Sequence, residues 1–418
     1  MVARSSDGGL TWSKTSFDKT LVEPQCQASI VRYSWPKASE RGRILFSNPA
    51  GMSRKTMTVR MSYDEGKSWP ISKLIYNKSS AYSCLATLPN GRIGIVYERD
   101  DYAKITFASF TLDWLTNENT QSTRNSAKSL QVHSNEFGVF ITEGKSKVLY
   151  YQRVPKSLDG KYLRANYIHP LYDLDGNILT EDFPEDHKHH RGIFWAWHQL
   201  WVGDKKIGDG WACKDFGWHV HDVDIVQDEP ERIKLQTQVH WTSPLWTDGG
   251  EQKLLVEENT VITVHKAKDD ARAIDFDISL RALEKDMRIG GSDDVKGYGG
   301  FSTRVRLPEG TRFMGRDGEV EPKRTAVDAG PWIDLSARFG QDEKISGFTI
   351  LCHSSSPDFP QRWILRRQKS MQNAAYPGRE PIPLSTETPL VLRYRLIVHR
   401  SEASVSKINT WEKEYSEK

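Results

Sequence analysis

Two copies of the pattern Ser-x-Asp-x-Gly-x-x-Trp, Ser5–Trp12 and Ser62–Trp69, start 57 residues apart, and no other feature limits the fold so tightly. Each copy suits a tight turn between antiparallel strands. Asp7 or Asp64 accepts backbone N–H groups, Gly9 or Gly66 supplies a positive φ, and Trp12 or Trp69 packs beneath. The pattern staples strands together and performs no chemistry. Its spacing lies near the ~50-residue period of propeller blades, so repeat β architecture is expected. Two blades cannot close a ring. Their edge strands would need cover from elsewhere in the protein or from a partner.

Short alternating runs at 28–33, 43–47, 57–62, 92–98 and 104–112 read as blade strands. Residues 1–115 are therefore expected to form a partial β-propeller of about two blades. Residues 116–130 are polar and aperiodic, the composition of a linker. Strands resume over 131–401, among them 192–202, 232–241, 258–266, 273–282 and 389–399. The alternation in Thr260-Val261-Ile262-Thr263-Val264 and in Ala273-Ile274-Asp275-Phe276-Asp277-Ile278 predicts sheets with one buried face. A large antiparallel β-sandwich follows, and 402–418 has helical spacing. The fold class is all-β.

Composition removes several functions. The chain of 418 residues carries 58 basic against 55 acidic residues, and no basic block is long enough to track phosphates. Nucleic-acid binding is not expected. No apolar stretch approaches the ~20 residues of a spanning helix. Cys26, Cys84, Cys213 and Cys352 lack C-x-x-C spacing, so neither a zinc ribbon nor a redox pair is expected. No charged-plus-apolar leader is read at the N-terminus, so these residues do not predict export.

Eight of the 12 histidines fall between His169 and His240, densest in Asp186-His187-Lys188-His189-His190-Arg191-Gly192. In extended backbone His187 and His189 share a face, as do His219 and His221. Three uses stay open: a divalent metal with Asp186 or Glu185 as oxygen ligand, a metal-free polar sugar pocket, or structural histidines. The metal-free pocket is the preferred reading, with no cofactor. Trp195, Trp197 and Trp201 alternate from Gly192 onward and suit either core packing or a sugar platform.

Cys26-Gln27-Ala28-Ser29-Ile30, Leu45-Phe46-Ser47-Asn48-Pro49, Arg54, Ala81-Tyr82-Ser83 and Val96-Tyr97-Glu98 follow one another between and after the turns. In this order residues 1–115 resemble the C-terminal third of a bacterial exo-sialidase. In that family three arginines grip the substrate carboxylate, a Tyr activated by a Glu attacks the anomeric carbon, and an Asp is the acid. The resemblance implies that Arg54 is the third arginine, Tyr82 the nucleophile and Glu98 the carboxylate orienting the first arginine. The remaining machinery would precede Met1, and the family's Tyr-Ser-Asp is Tyr82-Ser83-Cys84 here. It implies a glycoside hydrolase ancestry with an incomplete site, and relatives that are secreted or periplasmic.

His169-Pro170-Leu171-Tyr172, Asp182-Phe183-Pro184, the histidine segment and Lys296-Gly297-Tyr298-Gly299-Gly300-Phe301 look like the PmoA-like domain family, which carries a methane-oxygenase label. That likeness covers 131–401. It implies a sandwich related to the galactose-mutarotase-like supersandwich, with His169, His187, His190, Arg191 and Tyr298 lining a substrate pocket. A glycan or small sugar is the expected partner; a non-catalytic sugar-binding module and a metal-dependent oxidoreductase are the alternatives.

Overall fold

The structure is a computed structural model describing residues 2–18, 20–37, 41–51, 53–89, 91–116, 129–341, 343–369 and 371–417. The chain divides into two compact units, Met1–Arg124 and Asn125–Lys418. Most of the segment expected as a linker, 117–128, lies outside the described residues.

The first unit is one antiparallel sheet of six strands in sequence order, Ser29–Ser34, Arg43–Pro49, Lys55–Ser62, Ile71–Thr87, Ile93–Arg99 and Lys104–Phe110. The long Ile71–Thr87 strand pairs with Lys55–Ser62 through its first half and with Ile93–Arg99 through its second. Two partial blades thus share one strand. Leu45, Met57, Val59, Met61, Leu85, Ile93 and Ile95 form its core. Both turn motifs use the same bonds. Asp64 Oδ1 accepts from Ser68 N at 2.8 Å and Asp7 Oδ1 from Thr11 N at 2.9 Å, while Gly66 N and Gly9 N each donate to the leading serine at 2.8 Å. Gly66 and Gly9 take φ of 76° and 96°, where a side chain would be strained. The tryptophans part company: Trp69 is 7% exposed against Phe46, and Trp12 is 65% exposed.

In the second unit, an eight-stranded sheet running from Arg362–Ile364 to Leu130–Ser134 faces a nine-stranded sheet running from Gly217–Glu229 to Gly318–Glu319. The expected alternation is followed residue by residue in Ala271–Ala282. Ile274, Phe276, Ile278 and Leu280 are fully buried, while Asp275, Asp277 and Arg281 are less buried on the opposite face. Phe276, Phe301, Tyr394, Trp195 and Trp241 meet in the core between the sheets. Within it lies the fully buried Glu258, whose carboxylate accepts from Asn166 Nδ2, Trp195 Nε1, Trp241 Nε1 and Thr260 Oγ1 at 2.6, 2.8, 2.9 and 3.0 Å. Helix Val405–Ser416, capped by Ser404, sets Ile408 and Tyr415 against Trp332, Leu351 and Ile397 on the other face of the nine-stranded sheet.

Two local expectations are corrected. The run 192–202 is not one strand: Ile193–Ala196 belongs to the eight-stranded sheet and Gln199–Val202 to a separate four-stranded sheet. The break falls at Trp197–His198, where the Trp197 indole donates to Tyr376 O at 2.9 Å and holds the chain as it changes sheets. The histidine segment is a turn, not extended backbone, closed by His190 N donating to His187 O at 2.9 Å.

Candidate functional site

In the first unit, Arg54 directly precedes one strand, Tyr82 lies in the bulged part of the next, and Glu98 lies in the strand paired with that one. The pairing brings the three together. Glu98 Oε2 accepts the Tyr82 backbone N–H at 3.3 Å, and the Arg54 guanidinium lies 5.4 Å from the Tyr82 ring centroid. Arg54 is oriented by donating to Tyr102 OH at 2.5 Å and to Gln25 O at 3.0 Å, which leaves further N–H groups for a ligand. Tyr82 is 44% exposed, and its hydroxyl hydrogen-bonds no described residue. Ser83 turns inward to Ser47 at 2.8 Å, while Cys84, where the sialidase pattern has Asp, is exposed. An open guanidinium over an aromatic ring suits a carboxylate-bearing sugar.

In the second unit the turn brings His187 and His190 into a stack, ring centroids 4.8 Å apart at 7°, with His189 edge-on to His190 at 4.5 Å. Asp186 holds this corner. It accepts from His187 Nδ1 at 2.6 Å and takes Arg304 on both oxygens at 2.7 and 2.9 Å, while Arg304 Nε reaches Glu181 at 2.7 Å. Burial alone would raise the Asp186 pKa; the Arg304 and His187 bonds outweigh it and hold the carboxyl well below its usual range. Burial pushes His190 far down and His189 to about 4, helped by neighbouring cations and imidazoles, so both are neutral at pH 7.

Arg191 is not at the surface. It is fully buried, donates to Asp182, Lys156 O, Tyr162 O and Tyr167 OH, and faces the Phe183 ring. In this arrangement it braces the turn and has no face left for a ligand. His169 lies on the same side, its Nδ1 3.0 Å from Thr180 Oγ1, with burial lowering its pKa to about 4. Trp195 and Trp197 are each 1% exposed, packed in the core and away from any sugar. Among the described residues, no three His, Cys, Asp or Glu side chains are grouped to hold a metal ion.

Tyr298 joins the histidines through Trp211, which lies 5.9 Å from His190 and 5.2 Å from Tyr298 between centroids. Trp211, His198 and Asp209 make this junction, and all three lie outside the histidine motif. His198 stacks on Trp211 at 5.3 Å and gives its Nδ1 to Asp209 Oδ2 at 2.9 Å. Only a Trp and a His separated from the motif could have signalled them. His219 and His221 instead line a cleft of about 760 Å³ with Leu163, Phe216, Thr242 and Leu254. His221 falls at a register shift in its strand, and its ring meets His240 at 4.5 Å.

Over 118 residues the chain is 42% identical to a sialidase of Micromonospora viridifaciens, covering 27% of this chain and 18% of that protein. Over 135 residues it is 29% identical to an exo-alpha-sialidase of Aspergillus fumigatus, covering 28% of this chain and 32% of that one. The matches thus span about a fifth and a third of those relatives. Among solved structures, a putative kojibiose phosphorylase from human microbiome aligns with 80% of this chain and 36% of its own, at 11% identity and a TM-score of 0.26. That likeness is too low to fix the fold of either unit. Residues 139–412 match DUF6807, a family of unknown function, and the chain belongs to that family.

Proposed function

We propose that this is a carbohydrate-active protein whose sialidase-like region is the first unit, where Arg54, Tyr82 and Glu98 form part of a site for a sialic-acid-type sugar. The observation that carries the reading is their convergence: Tyr82 and Glu98 from paired strands and Arg54 from the residue before a third strand come together, with the guanidinium over the Tyr82 ring. Arg54 grips the sugar carboxylate and Tyr82 stands toward the anomeric carbon. Within residues 1–418 Arg54 is the arginine that matches the sialidase set, so binding by these residues is weak, and no described carboxylate activates the Tyr82 hydroxyl, so their hydrolysis is poor. The second unit, PmoA-like in its motifs, binds a glycan without metal. A partner protein covers the open strand edges of the first unit.

The test is titration of the 418-residue chain with N-acetylneuraminic acid, read by ligand-observed NMR, beside a fluorogenic sialoside assay. Weak binding should fall at least about tenfold in Arg54→Ala, the loss of a charge-assisted pair. Turnover should stay near background. Robust hydrolysis abolished by Tyr82→Phe would make this chain a working sialidase, and binding untouched by Arg54→Ala would remove the site.

A further inference from the structure

Both residues that hold Arg54 stand in left-handed backbone, although neither is a glycine. Gln25, whose carbonyl accepts from Arg54 Nη2 at 3.0 Å, has φ of 51°, and Tyr102, whose hydroxyl accepts from Nη1 at 2.5 Å, has φ of 70°. Tyr102 ends a run of three such residues, following Asp100 and Asp101 at 53° each. A short polar side chain tolerates this conformation; a bulky ring there is an outlier, and it persists only where the surroundings impose it. They do so here. The turn joins Ile93–Arg99 to Lys104–Phe110, and Ser79 of the neighbouring strand pins it. Asp100 N donates to Ser79 O at 3.0 Å, Asp101 N to Ser79 Oγ at 3.2 Å, and Ser79 Oγ to Asp101 Oδ1 at 2.7 Å. Tyr76 OH donates to Asp100 Oδ1, while Asp100 Oδ2 faces Arg99 at 3.3 Å and Lys104 at 3.5 Å. Both carboxylates of the turn thus have partners other than Arg54.

What the strained turn presents is a phenol with one hydrogen-bonding role still open. A phenol oxygen accepts and donates at once. Arg54 takes the accepting side, and the Tyr102 O–H meets no acceptor among the described residues. Tyr102 is 56% exposed, so a ligand can reach it. Arg54 has five N–H donors, of which one goes to Tyr102 and one to Gln25. An open O–H donor therefore stands one bond away from open guanidinium donors that carry a positive charge. A carboxylate has two acceptor oxygens and a full negative charge, so it meets both donors at once. A single neutral hydroxyl uses one of them and leaves the charge unmatched.

We propose that Tyr102 is a second carboxylate-binding residue of the first unit: its O–H donates to the acid group that Arg54 holds, and the left-handed turn keeps the two donors in place before the ligand arrives. No proton is transferred; the phenol accepts from the guanidinium and donates to the ligand. The proposal rests on the sialic-acid reading above and adds to it a ligand contact that Arg54, Tyr82 and Glu98 do not supply.

The experiment uses the full chain labelled with carbon-13 at tyrosine Cζ, titrated separately with N-acetylneuraminic acid and with its methyl ester, which keeps the sugar and removes the charge. Tyr102→Phe and Tyr82→Phe assign the two resonances. The acid should move the Tyr102 signal, and the ester should move it far less. Tyr102→Phe keeps the ring and removes the hydroxyl, so it should weaken binding of the acid about tenfold, the loss of a hydrogen bond to a charged group, and leave the ester within about twofold. Asp101→Gly suits the backbone at φ of 53° but unties Ser79. It should weaken acid binding while leaving the folded first unit at least as stable to heat; unchanged affinity would show that the turn does not hold the pair. A Tyr102 signal unmoved by the acid while the Tyr82 signal moves overturns the proposal and leaves the sialic-acid reading in place, as does full affinity in Tyr102→Phe with affinity lost in Arg54→Ala. Acid binding untouched by both substitutions removes the reading and the proposal together.

Discussion

Burial acts on His399 and His189 alike, yet their protonation differs because only His399 has a carboxylate against it. His399 is fully buried, with Nε2 2.8 Å from Asp334 Oδ1 and Nδ1 2.9 Å from the Ser401 carbonyl. Both nitrogens face acceptors, so the ring is an imidazolium. Burial pulls its pKa down, but the Asp334 bond and charge outweigh this and the net shift is upward. His169 and His189 are driven by burial to about 4. A raised histidine contributes stability that is complete below the ordinary value of ~6.5 and is lost as pH rises through the folded pKa. A depressed histidine does the reverse: stability falls as pH drops from ~6.5 toward the folded value, because the unfolded chain binds the extra proton. Urea midpoints of the second unit measured between about pH 5 and 9 should therefore decline on both sides. His399→Gln should flatten the alkaline side alone; an unchanged alkaline slope would show that His399 is not the imidazolium. The same scale explains what the sequence could reveal of the sites. Arg54, Tyr82 and Glu98 are named from the ordered motifs shared with sialidases, and strand pairing places Glu98 against the Tyr82 backbone. Density along the chain marked His187 and His190. It did not mark Arg304, 118 residues from its partner Asp186, since only the sheet pairing joins them. Arg191 sits in the same motif, and nothing local distinguishes a brace from a ligand-binding arginine until burial is known.

At the scale of elements, the two turn motifs form a built-in comparison. Their hydrogen bonds match, but Trp69 is packed and Trp12 lies open. Trp69→Ala should cost about 3 kcal/mol, the usual loss for a buried tryptophan, whereas Trp12→Ala should stay within about 0.5 kcal/mol. Chemical denaturation monitored by far-ultraviolet circular dichroism separates them, and equal losses would mean that Trp12 also has a packed environment. Strands with one buried face, such as Ala271–Ala282, were legible from alternation because side chains project to opposite faces. The break at Trp197–His198 was hidden, since Trp195 and Trp197 keep the alternating pattern while the backbone leaves one sheet for another. Glu258 was hidden within a strand that otherwise alternates. Its burial raises its pKa, opposed by four neutral donors, among them Asn166 and Trp241. Glu258→Ala strands those donors in the core and should cost at least about 3 kcal/mol.

For the whole molecule, the two units have cores of different construction. The second buries side chains between two large sheets, with a helix on the far face of one. The first has a single sheet, and it leaves Ile30, Trp35, Ile105 and Phe107 between 61% and 76% exposed. Less apolar area is removed from water per residue, so the first unit should unfold at the lower temperature. Calorimetry of the full chain should then show two transitions. Trp69→Ala should lower only the first, by on the order of 10 °C for a unit of this size, and Glu258→Ala only the second, by about 6 °C. A protein covering the exposed strands would bind the folded first unit alone and raise its transition by mass action, leaving the upper one in place. One cooperative transition moved by either substitution would show that the units do not unfold separately and would refute this division of the chain.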